Sequence, residues 1–432
     1  MATRTLSDQL RQKIKLSILG TAMVDALGGP VEFHQRFSFP LMTAFALNSN
    51  FASSFGVLKP GTWTDDTSMA LCLARSIAKH GFDEGRQLEA YAKWYQKGEL
   101  SAIDKCFDIG GTTRTALSIY IRSSDAPAFA LEGIRKGLSA PQFAGNGSLM
   151  RLISVPLVYW RDPEAAKAYA RRSSETTHPA PLCMEACELW TGIITMVLQH
   201  SVTRSGPETE APPSPYSKLD LLQFISEYPY ENEDLRERLA IPETSTPSFV
   251  TVTPGSATGS VDATSREAYF NENHPILRLI AKKRTGASAS ISASAQRNKN
   301  TALDAAYQDP STHFPFALPA VKDLPSSGYV LHTLVAALYC FFATDTFEAG
   351  AIMAVNLGDD ADTVGAVYAG LAGCWYAPSS LDGSTSSSSE DSDGQERHLF
   401  WSDKVKEWKA GLLKRKLVEQ VAEELVQYEK SL

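Results

Sequence analysis

Apolar residues recur at helical spacing along most of the chain. Segments 8–27, 67–80, 87–97, 164–172, 181–199, 328–343, 346–354, 362–376 and 401–429 repeat them three and four residues apart, the pattern of a helix with one buried face. Sustained period-two alternation, the mark of a half-buried strand, is missing. The expectation is an all-α fold, a compact multi-helix bundle with short loops at its Gly and Pro positions.

Two regions break the pattern. Residues 202–324 are rich in Pro, Ser, Thr and Gly, a composition that buries too little apolar surface to offset chain entropy. This insertion is expected to be partly disordered, with "LDLLQFISEY" and "HPILRLIAKKR" as short helices. The second break, 378–397, reads as a disordered acidic-serine linker. Residues 1–201 and 325–377 are then expected to form one helical domain, with 398–432 a long amphipathic helix packing back onto it.

Composition narrows the class. The 432-residue chain is 43% hydrophobic and 21% charged, with a formal charge of −8, and no basic stripe points to nucleic acid as the main partner. The six cysteines lie scattered, mostly in apolar runs; Cys183 and Cys187 share helical spacing without a second Cys/His pair, so neither zinc nor a disulfide framework is indicated. The apolar run 328–344 is shorter than the roughly 20 residues that span a bilayer. The N-terminus lacks a signal-peptide pattern. The expectation is an intracellular protein, cytoplasmic or nuclear, with no membrane partner. Oligomeric state is not legible, and a monomer is the default.

Chemistry gathers at two helix starts. Thr64, Asp65, Asp66 and Thr67 precede one apolar helix; Asp359, Asp360, Asp362 and Thr363 precede another. Either cluster alone reads as N-capping with acids complementing the helix dipole. Capping needs only one oxygen, however, and several carboxylates in one turn repel each other. Two convergent clusters of carboxylates and hydroxyls suit a hard divalent cation. Asp25 lies inside an apolar helix and requires partners there. Glu32 follows the Gly28-Gly29-Pro30 helix end, "FAGNGSLMRL" is a Gly-rich turn opening a helix, and His178 precedes another helix. The Gly-rich turn suits a phosphate or is a simple tight turn, and His178 alone suits a cap.

The motifs GTWTDDT, GNGSLMR and NLGDDADT, in this order, resemble those of the ADP-ribosylglycohydrolase family, over roughly residues 12–200 and 326–377. The resemblance implies an all-α fold with a central di-metal cleft holding two Mg²⁺ or Mn²⁺ ions. It implies hydrolysis of the glycosidic bond between ADP-ribose and an acceptor, a protein side chain or small molecule, reversing ADP-ribosylation. It makes Thr64, Asp65, Asp66, Asp360, Asp362 and Thr363 the metal ligands and Glu32 and Asp108 the catalytic carboxylates. Asn146, Gly147, Ser148, Met150 and His178 become the substrate-binding residues. The chain departs from the pattern at Val24 and Asp359, where the family has Gly. Other readings remain: a non-catalytic ADP-ribose binder, a structural protein on the same scaffold, or a phosphatase-like two-metal hydrolase, for which the His-rich ligand sets are missing. The acceptor is not legible, nor is which carboxylate acts as acid.

Overall fold

The computed structural model describes residues 2–123, 126–203, 216–242, 263–281, 318–378 and 399–432. Among these the protein is all-α, with no strand and only two isolated bridges, Asn48 to Leu58 and Gly145 to Tyr329. The helices are α1 (Ala2–Gly28), α2 (Ala52–Phe55), α3 (Asp65–His80), α4 (Glu84–Lys97), α5 (Gly111–Arg122), α6 (Pro127–Leu138), α7 (Ser154–Tyr159), α8 (Pro163–Glu175), α9 (Pro181–Thr203), α10 (Lys218–Glu227), α11 (Glu233–Leu239) and α12 (Ala263–Asn273). There follow α13 (275–281), α14 (Val330–Ala343), α15 (Phe347–Val355), α16 (Ala361–Trp375), α17 (Asp403–Gly411) and α18 (Arg415–Ser431).

The spine is an antiparallel pair, α1 against α16. Small residues at four-residue spacing let the two backbones touch. A Cβ on Gly28 would stand 2.6 Å from the backbone nitrogen of Asp362, and one on Gly373 would stand 2.7 Å from the carbonyl of Leu16. Between these ends, Val24 packs over Gly365 and Gly20 meets the carbonyl of Ala369. The departure at Val24 is therefore answered within the helix pair: its side chain fills the space that Gly365 leaves. This contact fixes the two acidic helix ends at one place, since Gly28 abuts Asp362 itself.

Around the spine the apolar faces close into one core that includes Trp63, Trp94, Trp190 and Trp408, all fully buried. Two windows, Asp8–Val31 and Pro181–Ser201, are long and apolar enough to cross a bilayer, yet 89% and 78% of their residues are buried inside the fold. Their apolarity serves the core.

The C-terminal region differs from the single helix expected. It forms α17 and α18, broken before Lys414, whose φ of 48° no α-helix continues through. Val418, Val421, Ala422, Leu425 and Val426 make the buried stripe of α18, which packs on α1, α3 and α7. Trp63 Nε1 donates to the carbonyl of Leu413, and Trp408 Nε1 to that of Thr43.

The 202–324 segment also contributes more than its composition indicates. Besides the two short helices expected, it forms α11 and α12, and Leu221, Ile225, Leu235, Leu239, Phe270 and Ile276 are buried. Glu185 on α9 accepts from the backbone N–H groups of Glu231 and Asn232, both at 2.8 Å. Lys218 closes the carboxyl end of α14 by donating to the carbonyls of Phe341 and Thr344. Residues 379–397 of the 378–397 linker and the remaining Pro/Ser/Thr-rich stretches lie outside the described residues.

Gly28→Ala forces a methyl group against the Asp362 backbone. It is expected to cost about 1–3 kcal/mol, the usual range for overpacking, read from the urea midpoint. An unchanged midpoint contradicts the backbone contact.

Candidate active site

Asp25, inside α1, organises the first half of the site. Its carboxylate accepts from both the backbone N–H and the hydroxyl of Thr64, and from both donors of Thr67. Thr64 is the residue before α3 and its own side chain makes no cap bond to that helix. A carboxylate reaching across from α1 thus caps α3, which leaves Asp65 and Asp66 free for another task. Thr64 Oγ1 also donates to Asp66 Oδ2 at 3.2 Å, and Thr363 Oγ1 donates to the same oxygen at 3.1 Å from 297 residues away. The two acidic helix starts converge.

The second half is held by loops stitched together through their backbones. Asp359 N donates to the carbonyl of His34 and Phe33 N donates to the carbonyl of Asp359, each at 2.7 Å. Asn50 Nδ2 donates to the carbonyl of Glu32. Buried Arg36 donates to the carbonyls of Leu357, Pro319 and Leu324. These bonds bring Glu32 beside Asp360 and Asp362. Asp359 has φ 61° and is exposed; its carboxylate stands at the cleft edge, outside the two tight acidic groups described next.

Two sets of three carboxylates have ligand oxygens within 4.8 Å of one another: Asp25, Asp66 and Asp362, and Glu32, Asp360 and Asp362. Burial first, then the neighbouring acids, hold Glu32, Asp65, Asp66, Asp108 and Asp362 well above the usual carboxylate range. Burial also pushes Asp25 and Asp360 up to about 6, against hydrogen bonds from Thr67 and Thr64 in one case and Asn146 in the other. Asp66 Oδ1 and Glu32 Oε2 are buried with no hydrogen-bond partner. Orphaned oxygens in a crowd of acids are costly, and a divalent cation satisfies both the charge and the lone pairs. The donor set fits such an ion: carboxylates and hydroxyls only.

The acids floor a cleft of about 940 Å³, within the size range of small-molecule sites. Asn146, Gly147, Met150 and His178 line one wall. The loop is tied to 328–330 by Asn146 N on the Gly328 carbonyl and Val330 N on that of Ala144, and Asn146 Nδ2 donates to Asp360 Oδ2. A Cβ on Gly147 would stand 2.8 Å from His178 Cε1, so only glycine fits. Ser148 does not face the cleft. Its hydroxyl is buried and accepts from Ser174 Oγ at 2.8 Å, because the turn carries residue 148 into the core.

Several residues of the site escaped the sequence reading. Asp25 was singled out only as needing partners; its role is to cap α3. Arg151, fully buried, donates to the carbonyl of Gly147 at 2.8 Å and lies 4.6 Å from the Tyr91 ring centre, supporting the loop from beneath. The start of α5 lines the cleft with Gly110, Gly111, Thr112, Thr113 and Arg114. Gly110 gives no side-chain cap, and nothing lies within 4 Å of a Cβ on Gly110 or Gly111. Open N–H groups at a helix start suit an anion such as a phosphate; the signal was the GGTT run. Phe33, Phe51, Phe55 and Phe107 line another part of the cleft.

The ADP-ribosylglycohydrolase profile matches residues 6–431. The chain belongs to the ADP-ribosylglycohydrolase family. The match takes in the 202–324 segment and the C-terminal helices as well as the motifs. The chain is 28% identical over 375 residues to ADP-ribosylarginine hydrolase Tri1 of Serratia proteamaculans, covering 85% of this chain and 73% of that one. It is 30% identical over 173 residues to the ADP-ribosyl-[dinitrogen reductase] glycohydrolase of Rhodospirillum rubrum, covering 40% and 53%. A solved structure described as an ADP-ribosylglycohydrolase-related protein complex superposes with a TM-score of 0.55 at 25% identity, covering 98% of this chain and 99% of that one.

Asp25→Ala strands three buried donors, the N–H groups of Thr64 and Thr67 and the Thr67 hydroxyl. A loss of about 3 kcal/mol or more is expected, measured by chemical denaturation; a loss under about 1 kcal/mol contradicts the capping role. The histidines give a pH prediction. Burial pushes His178 and His274 down to about 3, with the charge of Arg151 adding to the effect at His178. The unfolded chain, with His near 6.5, then binds more protons, so stability falls as pH drops from about 6.5 toward 3. His178→Asn should flatten this limb, seen as a smaller difference in Tm between pH 7 and pH 5; an unchanged difference contradicts a buried neutral His178.

Proposed function

We propose that the protein is a divalent-cation-dependent hydrolase that releases ADP-ribose from an arginine acceptor. One observation carries the cation: two acidic helix starts, far apart in sequence, converge on buried carboxylate oxygens with no hydrogen-bond partner. The arginine acceptor is supported by the ADP-ribosylarginine hydrolases, which align with most of this chain.

Thr64, Asp65, Asp66, Asp360, Asp362 and Thr363 would hold Mg²⁺ or Mn²⁺, two ions being compatible with two acidic groups that share Asp362. The cation supplies Lewis acidity and a binding point for the ribose hydroxyls. The start of α5 and the Gly145–Gly147 turn bind the diphosphate. Glu32 and Asp108 both line the cleft, and burial first, then nearby acids, hold both above the usual carboxylate range, which favours a protonated carboxyl beside an ionised one. One carboxylate takes a proton from the attacking water, whose oxygen bonds to the anomeric carbon; the other carboxyl protonates the departing guanidine nitrogen as the C–N bond breaks. ADP-ribosylated protein is the natural substrate class under this reading, with ADP-ribose and free arginine side chain as products.

Arginine-linked ADP-ribose should be released with Mg²⁺ or Mn²⁺ and not in EDTA. Asp362→Ala should lower the rate by about 10²-fold or more, and Glu32→Ala should slow turnover while sparing ADP-ribose affinity. Full activity in EDTA, or in Asp362→Ala, contradicts the proposal.

A further inference from the structure

Four phenylalanines cluster in the lining of the cleft, Phe107 buried among them. Phe33 meets Phe51 edge-on with ring centres 6.3 Å apart, Phe51 meets Phe107 at 5.4 Å, and Phe55 lies 6.0 Å from Phe107. All four line the same cleft as the acids. The rings and acids alternate in sequence on two separate loops: Glu32 precedes Phe33, and Phe107 precedes Asp108. Phe33 is 65% exposed on a backbone with φ 64°. Bulky side chains rarely adopt that conformation, and a large exposed apolar ring gains nothing from burial. Its backbone is pinned there by the bond from Phe33 N to the Asp359 carbonyl.

We propose that Phe33, Phe51 and Phe55, packed with the buried Phe107, form the acceptor subsite, the three accessible rings holding the planar guanidinium of an ADP-ribosylated arginine beside Glu32 and Asp108. The inference rests on the arginine reading above and adds the residues that select it. Aromatic faces and carboxylates both attract a cation, and a guanidinium also stacks as a plane. The same surroundings offer little to an uncharged, non-planar acceptor such as serine. The scissile bond joins ribose to the guanidinium, so a subsite for that group has to adjoin the catalytic pair. Phe33 and Phe107 are the direct chain neighbours of Glu32 and Asp108.

The test pairs binding with kinetics. A carbocyclic analogue of ADP-ribosylarginine, which cannot be hydrolysed, and ADP-ribose are titrated calorimetrically into the full chain with Mg²⁺. Phe33→Ala and Phe55→Ala should weaken the analogue about tenfold, within the range of partly desolvated cation–π contacts, and change ADP-ribose affinity less than twofold. With arginine-linked substrate, KM should rise by a similar factor and kcat stay within about twofold. Phe129→Ala, 70% exposed and outside the cleft lining, should change neither. Equal loss for both ligands, or no loss for the analogue, overturns the subsite. If the parent protein cleaves no linkage, the hydrolase reading fails while the analogue titration still decides the subsite. Cleavage of serine-linked but not arginine-linked substrate overturns the arginine acceptor and the subsite, while the hydrolase reading stands.

Discussion

The carboxylate of Asp25 is the interaction on which the site hangs. It satisfies four donors at the start of α3 from within α1. In most helices a residue at the N-terminus performs that service. Here the service comes from another helix, and so the acids of the first turn of α3 need not turn back on their own backbone. Asp66 reaches Thr363 instead. The same α1 carries Gly28, whose missing side chain lets the backbone of Asp362 come to rest against it. One helix thus sets the position of both acidic clusters.

This arrangement concentrates negative charge in a buried space, and concentrated charge of one sign is unstable by itself. Each acid lifts the proton affinity of the others. The loops meet this with rigid neutral scaffolding: the Phe33–Asp359 and Asp359–His34 backbone bonds, the Asn146 amide on Asp360, and the Arg36 guanidinium spread over three carbonyls. None of these gives the orphaned oxygens of Asp66 and Glu32 a partner. The donor chemistry fits a divalent cation, which the proposed function places there, and the pattern is one expected of a functional site more than of a stability device.

Much of this was legible in the sequence, for physical reasons that differ by element. Helices such as α3, α9 and α14 bury broad apolar faces, so their periodicity is strong. The α5 and α6 helices were missed although Ala116, Leu117 and Tyr120, and Ala130, Ile134 and Leu138, keep helical spacing; their stripes are narrow, and Gly133 and Gly137 interrupt α6. The α11 helix escaped because only Leu235 and Leu239 are buried in it. Acids at helix starts announced the site, yet nothing local distinguishes Asp25 as a cap for another helix or places Ser148 under its loop, since both depend on tertiary packing. The break before Lys414 has its signal in Gly411, the last residue of α17, which the apolar periodicity on either side overrode.

Cation binding by the acidic cluster is tested by titrating the metal-free protein with Mn²⁺ and following the electron paramagnetic resonance signal of the free ion. The parent protein is expected to remove Mn²⁺ from solution stoichiometrically, with Mg²⁺ competing, and Asp66→Asn or Asp362→Asn to abolish the effect without unfolding the chain. A free-ion signal undiminished by the folded parent protein contradicts cation binding there.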